Sequence, residues 1–142
     1  MLCTGLNTQV ESIRFAGATV ELLGKILGTA DLLGQMTDRC YLEKLPDLFD
    51  KYVEAGITTF ADPLDLMDRT QGFYKMTLER FAGELGNTLR FSRCRFRKRW
   101  SIDEDLYIKS IEENIRYLAR VLLLHRKNYT EHLLRFAHLK EE

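Results

Sequence analysis

Ile26-Leu-Gly-Thr-Ala-Asp-Leu-Leu-Gly-Gln-Met-Thr-Asp-Arg-Cys-Tyr-Leu-Glu-Lys-Leu45 is the stretch around which the fold is organised. Gly24, Gly28, Asp31, Gln35 and Asp38 follow one another at steps of four and three residues, which places all five on one face of a helix. Glycine inside a helix costs about 1 kcal/mol relative to alanine. We therefore expect another helix or a ligand to approach this face closely. The alternative is tight helix packing beside a solvated acid.

The composition is that of one globular domain. The chain has 142 residues, 45% hydrophobic and 30% charged, and its 21 basic and 21 acidic side chains give a net charge of zero. Zero net charge gives no general reason to expect nucleic acid or an anionic membrane as partner. The first residues lack the basic region and long hydrophobic segment typical of a signal peptide, and no apolar run is long enough to span a membrane, so we expect a cytoplasmic protein without a membrane partner. The three cysteines have no metal-ligand spacing and are expected to be free thiols.

Apolar residues recur at helical spacing along most of the chain, and no segment alternates as a strand would. The sequence predicts an all-α fold of five to seven helices, as an antiparallel bundle or orthogonal array, over a single domain of residues 1–142. Residues 1–18 are expected to form an irregular lead-in. The predicted helices run from Thr19 to about Met36, from Leu42 to Gly56, from Asp62-Pro63, from Thr70 to Gly86, over Asn87–Trp100, from the Ser101–Glu104 capping box to about His125, and over a last segment with Leu133, Leu134 and Phe136.

A basic segment interleaved with aromatic residues lies between residues 90 and 100. Arginine clusters bind phosphate in a bidentate manner, and aromatic rings can stack on bases. If the segment is helical, Leu89, Phe96 and Trp100 can instead anchor the core while the arginines pair with acids of neighbouring helices. The phosphate-binding candidates are Arg90, Arg93, Arg95, Arg97, Lys98 and Arg99.

The three histidines are His125, His132 and His138. His125 and His132 would lie on one face of an unbroken helix, about 10 Å apart along its axis, which is too far to share a metal ion. We interpret them as surface or helix-end residues.

The run Leu27-Gly-Thr-Ala-Asp-Leu-Leu-Gly-Gln-Met-Thr-Asp-Arg-Cys-Tyr-Leu-Glu-Lys-Leu45 resembles the last metal-ligand helix of bacterial HD-domain proteins, the metal-dependent phosphohydrolase superfamily. Asp31 matches the closing aspartate of the family pattern, which is His, then His-Asp, then Asp. Gly72-Phe73, Phe81, the basic segment ending at Trp100 and Asp103-Glu-Asp-Leu-Tyr107 also resemble later parts of bacterial members. The resemblance implies an HD-like helical fold and divalent-metal chemistry, with Mg, Mn or Ni activating a water against a phosphoester.

The chain departs from that family at its metal site. The thirty residues before Asp31 contain no histidine, so three of the four ligand positions are absent. We therefore expect the C-terminal part of a larger HD-like domain, catalytically incomplete as this chain, with Asp31 as a residual ligand position, Gln35 and Asp38 as its neighbours, and weak or absent metal binding.

Three functional hypotheses follow. The first is an HD-like phosphohydrolase fragment, whose substrate the sequence does not specify. The second is a non-enzymatic helical module for oligomerisation or protein interaction. We expect a homo-oligomer through the first helix, on the face of Gly24, Gly28 and Asp31, because missing helices would expose apolar surface there. The third is binding of phosphate or nucleic acid through Arg90–Arg99, which zero net charge ranks last.

Overall fold

The computed structural model describes residue 3 and residues 9–134, and the regular structure in this part of the chain is entirely helical. It has six α-helices there, so the prediction of an all-α fold with five to seven helices is confirmed. The helices are α1 (Ala18–Met36), α2 (Leu45–Glu54), α3 (Pro63–Ala82), α4 (Arg90–Trp100), α5 (Leu106–Leu124) and α6 (Tyr129–His132), with 3-10 turns at Val10–Ser12 and Arg126–Asn128.

Helices α3 and α5 are the centre of the packing, because both clusters of buried side chains include residues of each. Around Ile111, one cluster joins α1 and α3 through Met36 and Phe81. Around Leu118, the other joins α2 and α3 through residues that include Met67. Full burial of such a side chain stabilises the fold by roughly 1.5–3 kcal/mol. Only one face of α1 contributes to the cluster around Ile111, and the opposite face is exposed to solvent or available to a partner.

The predicted lead-in has little regular structure but contributes to the core. Val10, in the first 3-10 turn, is 1% exposed, and Cys3 is also buried. Both belong to the cluster around Ile111. The described part of residues 1–18 is therefore packed against the helices.

Helix α3 begins as predicted and continues further than predicted. The Asp62 carboxylate accepts a hydrogen bond from the Asp65 N–H at 2.8 Å, and Pro63 occupies the first turn. The predicted new helix at Thr70 is wrong, because the Thr70 hydroxyl is buried within α3 and donates to the Leu66 carbonyl. A polar residue inside a helix can satisfy its hydroxyl on the preceding turn, and this imitates a cap in the sequence.

The boundary between α4 and α5 also differs from the prediction. Ser101 ends α4 in a left-handed conformation with φ of 56° and does not begin the next helix. Asp105 is the N-cap of α5, and its carboxylate accepts hydrogen bonds from the N–H groups of Tyr107 at 3.0 Å and Ile108 at 3.3 Å. The capping box predicted at Ser101–Glu104 is therefore wrong, while the predicted end of the long helix near His125 is confirmed.

The chain turns sharply after α5, and this changes the geometry of two histidines. The 3-10 turn Arg126–Asn128 brings the rings of His125 and His132 to a centroid distance of 3.8 Å. The separation of about 10 Å expected for an unbroken helix is therefore wrong. The last helix ends at His132, before Leu133 and Leu134, while Phe136 and His138 lie outside the described residues.

Candidate functional site

Asp31 and Gln35 lie one turn apart on α1, as predicted. The Gln35 amide donates to an Asp31 carboxylate oxygen at 3.1 Å. Among the described residues, no three His, Cys, Asp or Glu side chains are close enough to hold a metal ion together. One carboxylate and one amide do not make up the ligand set of a resident divalent metal. The described residues around Asp31 therefore do not fit the metal implied by the family resemblance.

Asp38 is not on the same helical face, because α1 ends at Met36. Its carboxylate bonds to the Lys44 ammonium and to the Cys40 N–H. Both hydrogen bonds lower the pKa of Asp38, and the one from Lys44 has the larger effect. The predicted helical row that starts at Gly24 therefore ends at Gln35 and does not include Asp38. Asp38 instead stabilises the turn between α1 and α2.

Gly24 and Gly28 are used inside the chain. A Cβ atom on Gly24 would lie 3.1 Å from the Cys3 Sγ and 3.2 Å from the Phe15 ring. A Cβ atom on Gly28 would lie 2.7 Å from the Cys3 carbonyl oxygen and 3.1 Å from a methyl group of Leu85. The predicted close approach is therefore present, but the chain itself provides it. The glycine face is filled within one copy, while self-association stays a prediction.

The side of α1 that points away from the core is apolar and exposed. We call it the outer face; its large aliphatic side chains are 37–60% exposed, while Leu32 and Met36 on the inner side are at most 3% exposed. Glu21 and Lys25 pair with each other across one turn, and both are partly shielded from solvent. Helical spacing places that pair toward the inner side and Asp31 at the edge of the outer face. The residues of the outer face are Val20, Leu22, Leu23, Ile26, Leu27 and Ala30.

A cavity of about 190 Å³ lies between α1, α2 and α3. Its walls are mainly aliphatic and aromatic, and polar groups reach it from Gln35, Arg69 and Tyr41. Burial, with a smaller contribution from Tyr52, raises the pKa of Tyr41 to about 12. Of these polar residues only Gln35 was expected at a site, because the other walls come from helices whose pairing the apolar spacing does not specify.

The cations of α4 fall into two groups, those that form a salt bridge with Asp103 and those for which the described residues provide none. The guanidinium groups of Arg93 and Arg97 bond to Asp103 at 2.9 and 2.8 Å. Arg95 donates to the Tyr107 hydroxyl at 3.0 Å, which leaves its charge uncompensated. Phe96 is buried and anchors the helix, as the structural interpretation of the segment predicted, whereas Trp100, which was also expected in the core, is 48% exposed. The remaining exposed cations are Arg90, Lys98 and Arg99.

Comparisons with known proteins found no family model, no curated protein and no solved structure that matches this chain. None of the described helices combines the length and apolar character needed to cross a membrane.

Proposed function

We propose that this chain is a helical assembly module in which the outer face of α1 pairs with the same face of a second copy. The observation that carries the proposal is the exposure of five large aliphatic side chains on one side of a helix that is already held by its other side. A helix that carries large apolar residues on both its inner and its outer side normally buries both of these sides. Contiguous apolar patches of this kind mark interaction surfaces.

The spacing on this face suits helix pairing. Val20, Leu23, Leu27, Ala30 and Gly34 are separated by three, four, three and four residues, which is the spacing of a coiled-coil seam. The proposed interface therefore keeps the first helix but is centred on the outer face, beside Gly24 and Gly28 rather than over them.

The change in side-chain size along the seam favours a second copy as the occupant. Large residues lie toward the start of α1 and small ones toward its end. In an antiparallel pair centred on Leu27, Val20 would face Gly34 of the other copy, and Leu23 would lie beside Ala30 and Asp31 of that copy. Large residues then oppose small ones, and the same patch serves both copies, as two-fold symmetry requires.

Sedimentation velocity over a range of concentrations tests this proposal. We expect a dimer with a Kd at or below about 10 µM, which corresponds to roughly 7 kcal/mol of association free energy. Leu27→Glu places a charge at the centre of the seam and should give a monomer with unchanged helical circular dichroism. Leu123→Glu is the matched control, since Leu123 is an exposed leucine of α5, and it should remain dimeric.

Two results would overturn the proposal. One is a wild-type chain that stays monomeric at ten times that concentration. The other is a Leu27→Glu variant that keeps the wild-type dimer while Leu123→Glu loses it, because the apolar surface at the end of α5 would then be the interface.

HD-type phosphohydrolase chemistry is a second candidate, favoured by the position of Asp31. Its carboxylate lies at the edge of the outer face, and no lysine or arginine in the described part of the chain forms a salt bridge with it. Metal ligands would have to come from beyond the described residues of one copy.

Thermal melts of wild type and Asp31→Ala, with and without Mn, Ni or Mg, test this second candidate. A specific metal raises the midpoint by mass action, and the rise should vanish in the variant. An equal response in both proteins excludes Asp31 as a ligand and leaves the assembly proposal untouched.

A further inference from the structure

The solvent side of α4 carries two adjacent rows of exposed residues, each with a step of four. One row is Arg90, Cys94 and Lys98, and the other is Phe91, Arg95 and Arg99. Residues four apart on a helix are neighbours, and consecutive numbers place the two rows side by side. We call this surface the basic rows. They present four cations, one aromatic ring and one thiol.

The charge of the basic rows is not neutralised nearby. Residues 85–102 contain six cations and no acid, so this segment carries a charge of +6 in a chain of zero net charge. The nearest acid that binds α4 cations is Asp103, and it binds Arg93 and Arg97, which lie beside the rows. The four cations of the rows therefore keep their charge toward solvent.

The arrangement is unfavourable at the start of the helix, although the three cations of the last turn, Arg97, Lys98 and Arg99, favour its dipole. Arg90 begins α4, next to the positive end of the helix dipole, and the first turn of the helix contains no acid. Arg95 and Arg99 are like charges one turn apart, which disfavours a helix. Residues that break local rules in this way are expected at functional sites.

Two exposed aromatic rings accompany the rows: Phe91 lies in one of them, whereas Trp100 lies at the end of the helix with its ring stacked on the buried Phe96 at 5.7 Å. Phe91 is 44% exposed, and the Arg90 guanidinium lies 4.9 Å from the centre of its ring. Trp100 is 48% exposed at the end of the helix, with the Arg99 guanidinium 5.2 Å from its ring. Such pairs of cation and ring offer both phosphate contact and a stacking platform.

We propose that the basic rows of α4 bind single-stranded nucleic acid, with the four cations on phosphates and Phe91 and Trp100 against bases. An anionic bilayer is the weaker match, because a helix that lies in a membrane interface separates its apolar face from its cations, whereas Phe91 lies among them. Duplex recognition would not use the exposed rings, since paired bases are stacked on one another.

Trp100 is the only tryptophan of the chain and reports directly on this site. Titration with an oligouridylate of about 12 nucleotides should quench its fluorescence. Neutralisation of four phosphates on a single strand predicts a slope of log K against log salt of about −3. Fluorescence anisotropy of a labelled oligonucleotide gives the same constants independently.

The variant Arg95→Gln/Arg99→Gln removes half of the cations and should bring the salt slope to about −1.4. Arg116→Gln/Arg120→Gln is the matched control, because these are also two exposed arginines one turn apart, on α5. It should keep the wild-type slope. Far-UV circular dichroism checks that both variants are folded.

The proposal is overturned by equal loss of affinity in both double variants, or by a wild-type slope shallower than −1. Binding of a duplex of matched sequence as tightly as the single strand also overturns it. So does binding of phosphatidylserine vesicles without binding of the oligonucleotide.

Discussion

Gly28 shows how much of the fold depends on a single missing methyl group. A Cβ atom there would lie 2.7 Å from the Cys3 carbonyl oxygen, which is backbone and cannot turn away. We expect Gly28→Ala to lower the free energy of unfolding by about 1–2 kcal/mol, since overpacking outweighs the better helix propensity of alanine. Urea denaturation measures the change.

Gly72 is the control for this prediction. It also lies inside a helix, and a Cβ atom on it would have no neighbour within 4 Å. Gly72→Ala should therefore stabilise the protein by up to about 1 kcal/mol. The same sign of effect at both positions would contradict the packing described for Cys3.

Tyr41 gives a prediction for alkaline pH. Burial raises its pKa to about 12 in the folded chain, above the value of about 10 in the unfolded chain. Between these values the unfolded state binds fewer protons than the native state, so the free energy of unfolding falls as pH rises. The full loss is at most about 2.7 kcal/mol.

Tyr41→Phe should remove this component, so that urea unfolding measured between pH 9 and pH 12 gives a shallower decline than wild type. The stability contribution is fully present below pH 10 and disappears as pH rises through 12. An unchanged decline would mean that the Tyr41 hydroxyl is solvated.

At the scale of elements, the start of α5 depends on Asp105 rather than Ser101. Asp105→Ala removes the acceptor of two N–H groups and of the Ser92 hydroxyl, and we expect a loss of about 1–2 kcal/mol. Ser101→Ala should change stability by less than about 0.5 kcal/mol. Thermal unfolding of the two variants distinguishes these positions, and the reverse order would support the capping box.

The sequence predicted where helices lie better than how they face. Helix α1 was expected from Thr19 to about Met36 and is observed from Ala18 to Met36. Apolar spacing could not specify which side of α1 is buried, because aliphatic residues occupy both sides. The glycines carried the missing signal, since they mark the side that needs close approach.

In the candidate site, contacts within one helix could be predicted from the sequence, whereas contacts between helices could not. The contact between Asp31 and Gln35 follows from their spacing on one helix. The walls of the cavity around Tyr41 come from three helices. Which cations of α4 pair with Asp103 depends on the turn at Ser101. Contacts between separate elements depend on tertiary packing, which periodicity within one element does not encode.

At the scale of the whole molecule, zero net charge hides a strong separation of charge. Residues 85–102 carry +6, so the rest of the chain carries −6. The total charge of zero disfavours nucleic acid as a partner, but binding depends on the local field within about 10 Å of the surface. The distribution of charge, not its sum, is therefore the relevant quantity for this chain.

The rates at which the three cysteines react with a thiol reagent report on the opening of the core. Cys40 and Cys94 are exposed and should react with a thiol reagent at once, whereas Cys3 is 5% exposed against α1. Cys3 can react only after a fluctuation of the native state has separated it from Gly28. The rate of Cys3 labelling therefore measures the free energy of that opening. Mass spectrometry should show two fast additions and one slow one, and Gly28→Ala should accelerate only the slow addition.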